Sequence, residues 1–255
     1  MDRVTHLKDF RVIEFRRYLT VQGQRAGFAA TFESYFPEAF QQVGALIHGH
    51  FFERRRPEVF TWIRGFHTLE DRATLNRDFY GGPLWREHRS TMNERLVDHT
   101  NTLLLEPLRP EREIVVLPAV DPVSEANGAT GVVVAQIFAV VSGGVEALAD
   151  RAEATFASYR AAGAREAGLL ASLDVPNNFP ALPYREDGPY LVWLGIVRDD
   201  EGLTGRLEPL AGHAARALAE TGLLRGEPEL VVLDPSPRSR LRWLPEATAW
   251  KTAST

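Results

Sequence analysis

Seven residues near the start of the chain have the types and spacing that proton chemistry needs: Glu14, Arg16, Tyr18, His48, His50, Trp62 and Arg64. Glu14, Arg16 and Tyr18 alternate with Ile13, Phe15 and Leu19, the period of a strand lying between two unlike environments. In a dry pocket a guanidinium can hold an anionic or enolic oxygen while an imidazole or carboxylate moves the proton. Arg16 or Arg64 fits the first role, and His48, His50 or Glu14 the second. Glu14, Arg16, His48 and His50 are therefore the candidate catalytic residues. Tyr18, Trp62 and Arg64, with Phe138 and Trp193 from the second half, are the candidate ligand contacts.

Each of these has a plainer reading. Glu14 with Arg16 or Arg64 reads equally as a buried ion pair that orients strands. His48 and His50, sharing a face of one strand with Glu14 nearby, have the composition of a two-histidine, one-carboxylate metal site. However, strands one and two are not neighbours in a ferredoxin-like sheet, so no metal and no cofactor is assigned. Trp62, Trp85 and Trp193 read as core or pocket wall. His88 stands among Arg86, Glu87 and Arg89 on what reads as a solvated face. No Gly-x-Ser-x-Gly elbow, phosphate-binding loop or dinucleotide fingerprint occurs.

The elements that must position these residues come in one order twice. In the first half, a strand over residues 10–20 is followed by a helix carrying Phe28, Phe32, Tyr35 and Phe36 and stopping at Pro37. A strand pair over 43–52 and 59–66 comes next. A helix over 69–79 then breaks at Gly81, Gly82 and Pro83 and resumes through 85–96, and a strand over 97–105 closes the unit. Residues 108–131 read as a connector. Beyond it the sequence predicts a strand at 132–141, a helix at 145–159, strands at 164–173 and 190–197, a helix at 207–221 and a strand at 230–233. The loop with Asn177, Asn178 and Phe179 is placed to cap a barrel mouth, although turn chemistry alone also explains it. The divisions are 1–108, a linker 109–130, 131–235, and a tail 236–255.

With 255 residues, 44% of them hydrophobic, the chain can bury a sizeable core. A net charge of -5 leaves no basic field to attract nucleic acid. There is no cysteine, which excludes disulfides and a thiolate nucleophile. No apolar run is long enough to span a bilayer, and the first ten residues lack a signal-peptide pattern. The reading is a cytoplasmic protein with neither nucleic-acid nor membrane partner.

Glu14-Phe15-Arg16-Arg17-Tyr18-Leu19-Thr20, ending at Gly23, resembles the Glu-Leu-Arg-x-Tyr opening strand of NIPSNAP domains, with Phe15 in place of Leu. Trp62-Ile63-Arg64-Gly65-Phe66 and Phe79-Tyr80-Gly81-Gly82-Pro83-Leu84-Trp85 resemble the third strand and helix break of the family's bacterial members. The match covers about residues 10–108. It implies an α+β fold of two tandem ferredoxin-like βαββαβ units, their antiparallel sheets packed face to face as a single-chain α+β barrel. Covering an apolar sheet face favours the same packing, at roughly 25 cal/mol per Å2. Matching the halves on Gly44 and Gly163 sets His48 against Ala167 and His50 against Leu169. Setting Glu14 against Gln136 puts Arg16 against Phe138, while Trp62 meets Trp193 and Arg64 meets Gly195. The expectation is a pocket between the sheets with one polar and one apolar wall, binding or transforming a small apolar or anionic metabolite. A non-catalytic binder of a metabolite or haem, and an interaction scaffold with an apolar patch near residues 238–250, are the alternatives. A homodimer of the whole barrel stays open.

Overall fold

The computed structural model describes residues 7–245. Eight antiparallel strands close into a ring. In the first half these are β1 (Val12–Thr20), β2 (Leu46–Glu53), β3 (Val59–Phe66) and β5 (Thr102–Pro107), with the short β4 (Leu96–Asp98) added at the end of β1. The second half supplies β6 (Val132–Ala139), β7 (Arg165–Ser172), β8 (Tyr190–Val197) and β9 (Glu229–Pro235). Around the ring the order is β1, β3, β2, β9, β6, β8, β7, β5 and back to β1. Helices α1 (Arg25–Gln42), α2 (Leu69–Gly81) and α3 (Pro83–Asn93) cover the outside of the first half. Helices α4 (Val145–Ala161) and α5 (Glu208–Ala219) cover the second.

The expectation of two sheets packed face to face is corrected by two ladders. Phe51, Phe52 and Glu53 pair with Pro235, Asp234 and Leu233, and Leu105, Glu106 and Pro107 pair with Ser172, Ala171 and Leu170. Each half ends in strand edges with free N–H and C=O groups, and joining edge to edge satisfies them in a way that stacking does not. Arg17 reinforces the β2–β9 seam, donating to Glu53 of β2 and Glu229 of β9.

The barrel interior is mainly apolar, with the buried Arg17–Glu53 ion pair and Thr61 as polar exceptions. Ile13, Phe15, Ile63 and Leu105 meet Val133, Val192, Leu194 and Leu233 in one cluster. Ile114, Val116 and Leu117 of the connector, and Leu241 and Leu244 near the C-terminus, join the same cluster. These branched side chains fill the lumen, as small barrels require.

Several local readings change. α1 runs through Pro37 rather than stopping there. Proline leaves the carbonyl four residues earlier without its helical donor, and that carbonyl, on Glu33, accepts from the Arg238 guanidinium instead. The strand expected over 97–105 breaks into β4 and β5, both paired with β1, which leaves His99 between them. In the second half Gly195 pairs with Val134 as Arg64 pairs with Glu14, and Trp193 pairs with Gln136 as Trp62 pairs with Arg16. The counterpart of Gln136 is thus Arg16, two residues from the sequence match.

Candidate functional site

Strand period decides which face the polar residues take. Since Ile13, Phe15 and Ile63 point into the barrel, Glu14, Arg16, Tyr18, Trp62 and Arg64 point outward, under the helices. The expected pocket between sheets is therefore corrected to one between sheet and helices. Nearly every position of β1 and β3 is buried, so alternation revealed two environments without revealing which was the lumen.

A cavity of about 320 Å3 lies in this layer. α1 contributes Phe28, Phe32, Phe36 and Phe40, one residue every four along a single helix face. α2 and α3 add Phe79, Tyr80, Trp85 and Met92. Tyr18, Trp62 and His99 form its sheet side. The long loop between β7 and β8 closes it with Phe179 and Leu182, and the Phe179 ring stacks at 6.3 Å from Tyr80. The loop expected over a barrel mouth thus closes, through Phe179, a cavity that lies outside the barrel. A second groove of about 770 Å3 lies along the same loop, but Glu146, Asp174, Arg185 and Glu186 make its lining a charged surface cleft.

The polar groups form one connected set. Glu14 Oε2 accepts from Arg64 Nε at 2.6 Å and Arg16 Nη1 at 2.9 Å, and Oε1 accepts from Arg72 Nε at 2.6 Å. All four side chains are fully buried. Burial alone would raise the Glu14 carboxyl, but the charges of Arg64, Arg16 and Arg72 outweigh it and hold it well below the usual carboxylate range. Arg16 Nε donates to the Tyr18 hydroxyl at 2.8 Å. Burial pushes the Tyr18 phenol up to about 12 against the opposing charge of Arg16, so it keeps its proton at neutral pH. With Arg16 as donor, that proton is free for another acceptor. His99 has its ring 6.1 Å from Tyr18, and burial and then the charge of Arg16 lower its pKa, which favours the neutral imidazole.

The structure brings Glu14, Arg16, Tyr18, Trp62 and Arg64 together, sets His50 beside Trp62 on the same face with its ring 5.5 Å from Phe32 but outside the cavity lining, and leaves His48, Phe138 and Trp193 elsewhere. A bulge in β2 between Ile47 and Gly49 turns His48 away from the face His50 occupies, which corrects the shared face read from their spacing. His48 packs edge-on against Phe10, and burial, then the charge of Arg240, lowers it to about 3. His50 Nδ1 meets both Ser236 Oγ and, at 3.4 Å, Glu33 Oε1. Serine and acid address the same nitrogen, so no Ser–His–acid relay exists there. Among the described residues no cluster of histidine, aspartate and glutamate could hold a metal.

Phe138 and Trp193 lie under α4 in the other half, away from the cavity. There Phe156 stacks at 6.0 Å on Trp193, whose Nε1 donates to Glu166. The Trp193 ring lies across Gly195, so close that a Cβ there would sit 2.1 Å from it, filling the place that Arg64 takes in the first half. These two residues are core.

Sequence reasoning missed Tyr80, His99 and Arg72 as site residues. Arg72 carried a usable signal: the Thr68–Asp71 capping box fixes the start of α2 and sets Arg72 and Asn76 on its inner face. His99 carried none, because its position depends on the break between β4 and β5.

No protein-family model matches the chain, and no curated protein matches it. Solved structures share the fold at low identity. A "putative monooxygenase" from Fusobacterium nucleatum is 8% identical, with 92% of this chain and 99% of that chain covered and a TM-score of 0.57. An anthrone oxidase-like protein is 12% identical, with 89% and 92% covered and a TM-score of 0.54. An uncharacterised NIPSNAP-like domain protein from Burkholderia xenovorans is 24% identical but covers 39% of this chain and 87% of its own, with a TM-score of 0.36. The NIPSNAP structures align over about two-fifths of the chain, whereas the two others share its α+β barrel fold over nearly the full length.

Proposed function

We propose that this protein binds a flat, largely aromatic small molecule bearing a keto or phenolic oxygen, and that its own side chains transfer a proton on it. The observation that carries this is the cavity itself: aromatic walls, with a protonated Tyr18 and a neutral His99 as its convergent polar groups. In this reading Tyr18, held by Arg16, donates to the ligand oxygen, and His99 removes the acidic proton, so the negative charge develops beside the Tyr18–Arg16 pair. Glu14 acts one step back: tied to three arginines, it positions Arg16 and is too poor a base to take the proton. His48 and His50 have no part. The full-length neighbours described as monooxygenase and anthrone oxidase-like support small-molecule chemistry on this fold, by analogy alone. We also read the two halves as tandem ferredoxin-like units, each with strand order 4-1-3-2.

Anthrone is the first probe, because its carbonyl can accept from a phenol and its CH2 is acidic enough for an imidazole base. Saturable quenching of the Trp62 and Trp85 fluorescence is expected on titration. Protein-dependent exchange of the CH2 protons with deuterium, followed by NMR without air, is expected as well. Neither quenching nor exchange above buffer, with anthrone and with a phenolic polycyclic ketone, would overturn the proposal.

A further inference from the structure

Charge does not balance behind the aromatic wall. Arg16, Arg64 and Arg72 are fully buried around one carboxylate, Glu14. A guanidinium does not give up its proton in a protein, so the cluster carries a net charge near +2. Its donors are also in excess. Arg16 Nη2, Arg64 Nη1, Arg64 Nη2 and Arg72 Nη2 have no hydrogen-bond partner among the described residues. The same holds for both polar atoms of the Asn76 amide, which is fully buried one turn beyond Arg72 on α2.

Aromatic faces answer part of this. The Arg64 Cζ lies 4.9 Å from the Phe40 and Trp62 rings and 5.1 Å from Phe66. Those contacts leave the in-plane N–H groups unmatched, and a ring face supplies no charge. A water could accept two of the N–H bonds, but it would add two donors to a cluster already rich in them. The deficit is one of negative charge and of acceptors together, which a small anion supplies and water does not.

We propose that Arg64, Arg72, Arg16 and Asn76 form a buried site for one small monovalent anion of the chloride, nitrate or carboxylate type. The site is separate from the oxygen-binding place assigned to Tyr18. Arg64 and Arg72 do not line the cavity: Arg64 sits behind the Trp62 and Phe40 rings that wall it, and Arg72 lies toward Tyr184 and the Asn177–Asn178 loop. Asn76 offers its Nδ2 as a neutral donor, and its Oδ1 can take one remaining guanidinium N–H. The anion brings the cluster closer to neutrality and offsets the mutual repulsion of the three arginines. It also stiffens the floor on which Tyr18 is held.

The test uses the intact protein exchanged into sodium gluconate, whose polyhydroxylated, strongly hydrated anion does not suit a site walled by aromatic rings. Chloride, bromide or nitrate then replaces gluconate at constant ionic strength. The unfolding midpoint is expected to rise with the logarithm of anion concentration above a low-millimolar threshold. Crystals grown with bromide are expected to show an anomalous peak within reach of Arg64 and Arg72. Asn76→Leu, which keeps all three ion pairs with Glu14, should raise the threshold several-fold. Arg64→Met should abolish the dependence, and if that variant fails to fold, the bromide peak and Asn76→Leu decide the matter alone. Equal midpoints in gluconate and bromide, with no anomalous peak at the cluster, overturn the proposal. If benzoate displaces the bromide and quenches tryptophan fluorescence, the site stands and its occupant is a ligand's own carboxylate. If benzoate does neither, the site stands as that of an inorganic ion. Anthrone binding is measured apart, so either proposal can fail without the other.

Discussion

Arg72 and Glu14 meet at 2.6 Å with neither side chain reaching solvent, and through Arg72 the sheet is tied to the loop over the cavity. The same guanidinium uses Nη1 to donate to Asn177 Oδ1 at 3.1 Å and Asn178 Oδ1 at 2.7 Å. Removing the carboxylate strands three buried cations at once. Glu14→Gln should cost about 3–5 kcal/mol in urea-monitored stability, in the range of broken buried pairs. A loss below about 1 kcal/mol would mean that the arginines are neutralised by something other than Glu14.

Asn178 also donates to the Leu69 carbonyl at the start of α2, so it pins the loop at two points. Asn178→Ala should leave global stability within about 2 kcal/mol while making residues 173–189 the first site of limited proteolysis. Release of a bound aromatic probe should quicken in stopped-flow fluorescence. Unchanged cleavage and release would assign the loop a purely structural role.

Tyr18→Phe keeps the ring and removes the hydroxyl that accepts from Arg16 Nε. A stability loss of about 1–3 kcal/mol is expected from the stranded donor. Probe affinity should fall about tenfold, since one hydrogen bond is lost from the ligand side, near 1.4 kcal/mol. Equal affinity in calorimetric titration would remove Tyr18 from the ligand's contacts.

His99 is only half buried, so His99→Gln should change stability by no more than about 0.5 kcal/mol. Proton exchange on the probe should drop roughly 100-fold, the usual scale for a general base. In the wild type the rate should rise with pH and level off below pH 6.5, because burial and Arg16 lower the imidazole's pKa. A plateau reached only above the ordinary histidine range would contradict the assignment.

His48 stays neutral in the fold down to about pH 3, whereas in the unfolded chain it protonates near 6.5. Between those values the unfolded state binds the extra proton, so stability falls as the pH is lowered, by about 1.4 kcal/mol per pH unit for this one group. Above pH 6.5 the contribution is complete. The slope of stability against pH in His48→Gln should be shallower by close to one proton, and an unaltered slope would show that His48 is solvated.

The order of elements could be read from spacing because Ile13, Phe15, Phe28, Phe32 and Phe36 carry their periods openly. The direction of the polar face could not. A strand buried on both sides shows the same alternation whether Glu14 looks into the lumen or under a helix, and only ring closure by β2–β9 and β5–β7 fixes the choice. The histidines failed for a related reason: the β2 bulge adds one residue, which reverses the face of everything on one side of it. Gly44 and Gly163, both at φ +98°, were sound anchors because their left-handed backbone marks the same turn after α1 and α4. The mismatch of Glu14 with Gln136 arose where no such marker stands.

Because one chain closes the ring, a substitution in the first half is not copied into the second. A barrel made of two identical subunits would place every buried charge twice and would have to tolerate both. Here Val134, Gln136 and Gly195 stand where Glu14, Arg16 and Arg64 stand across the ring, and Trp193 fills the space this leaves. One side is free to carry an expensive, charged and partly hollow layer, while its opposite number supplies cohesion and lends a loop as cover. Covalent closure thus permits a division of labour that symmetry would forbid.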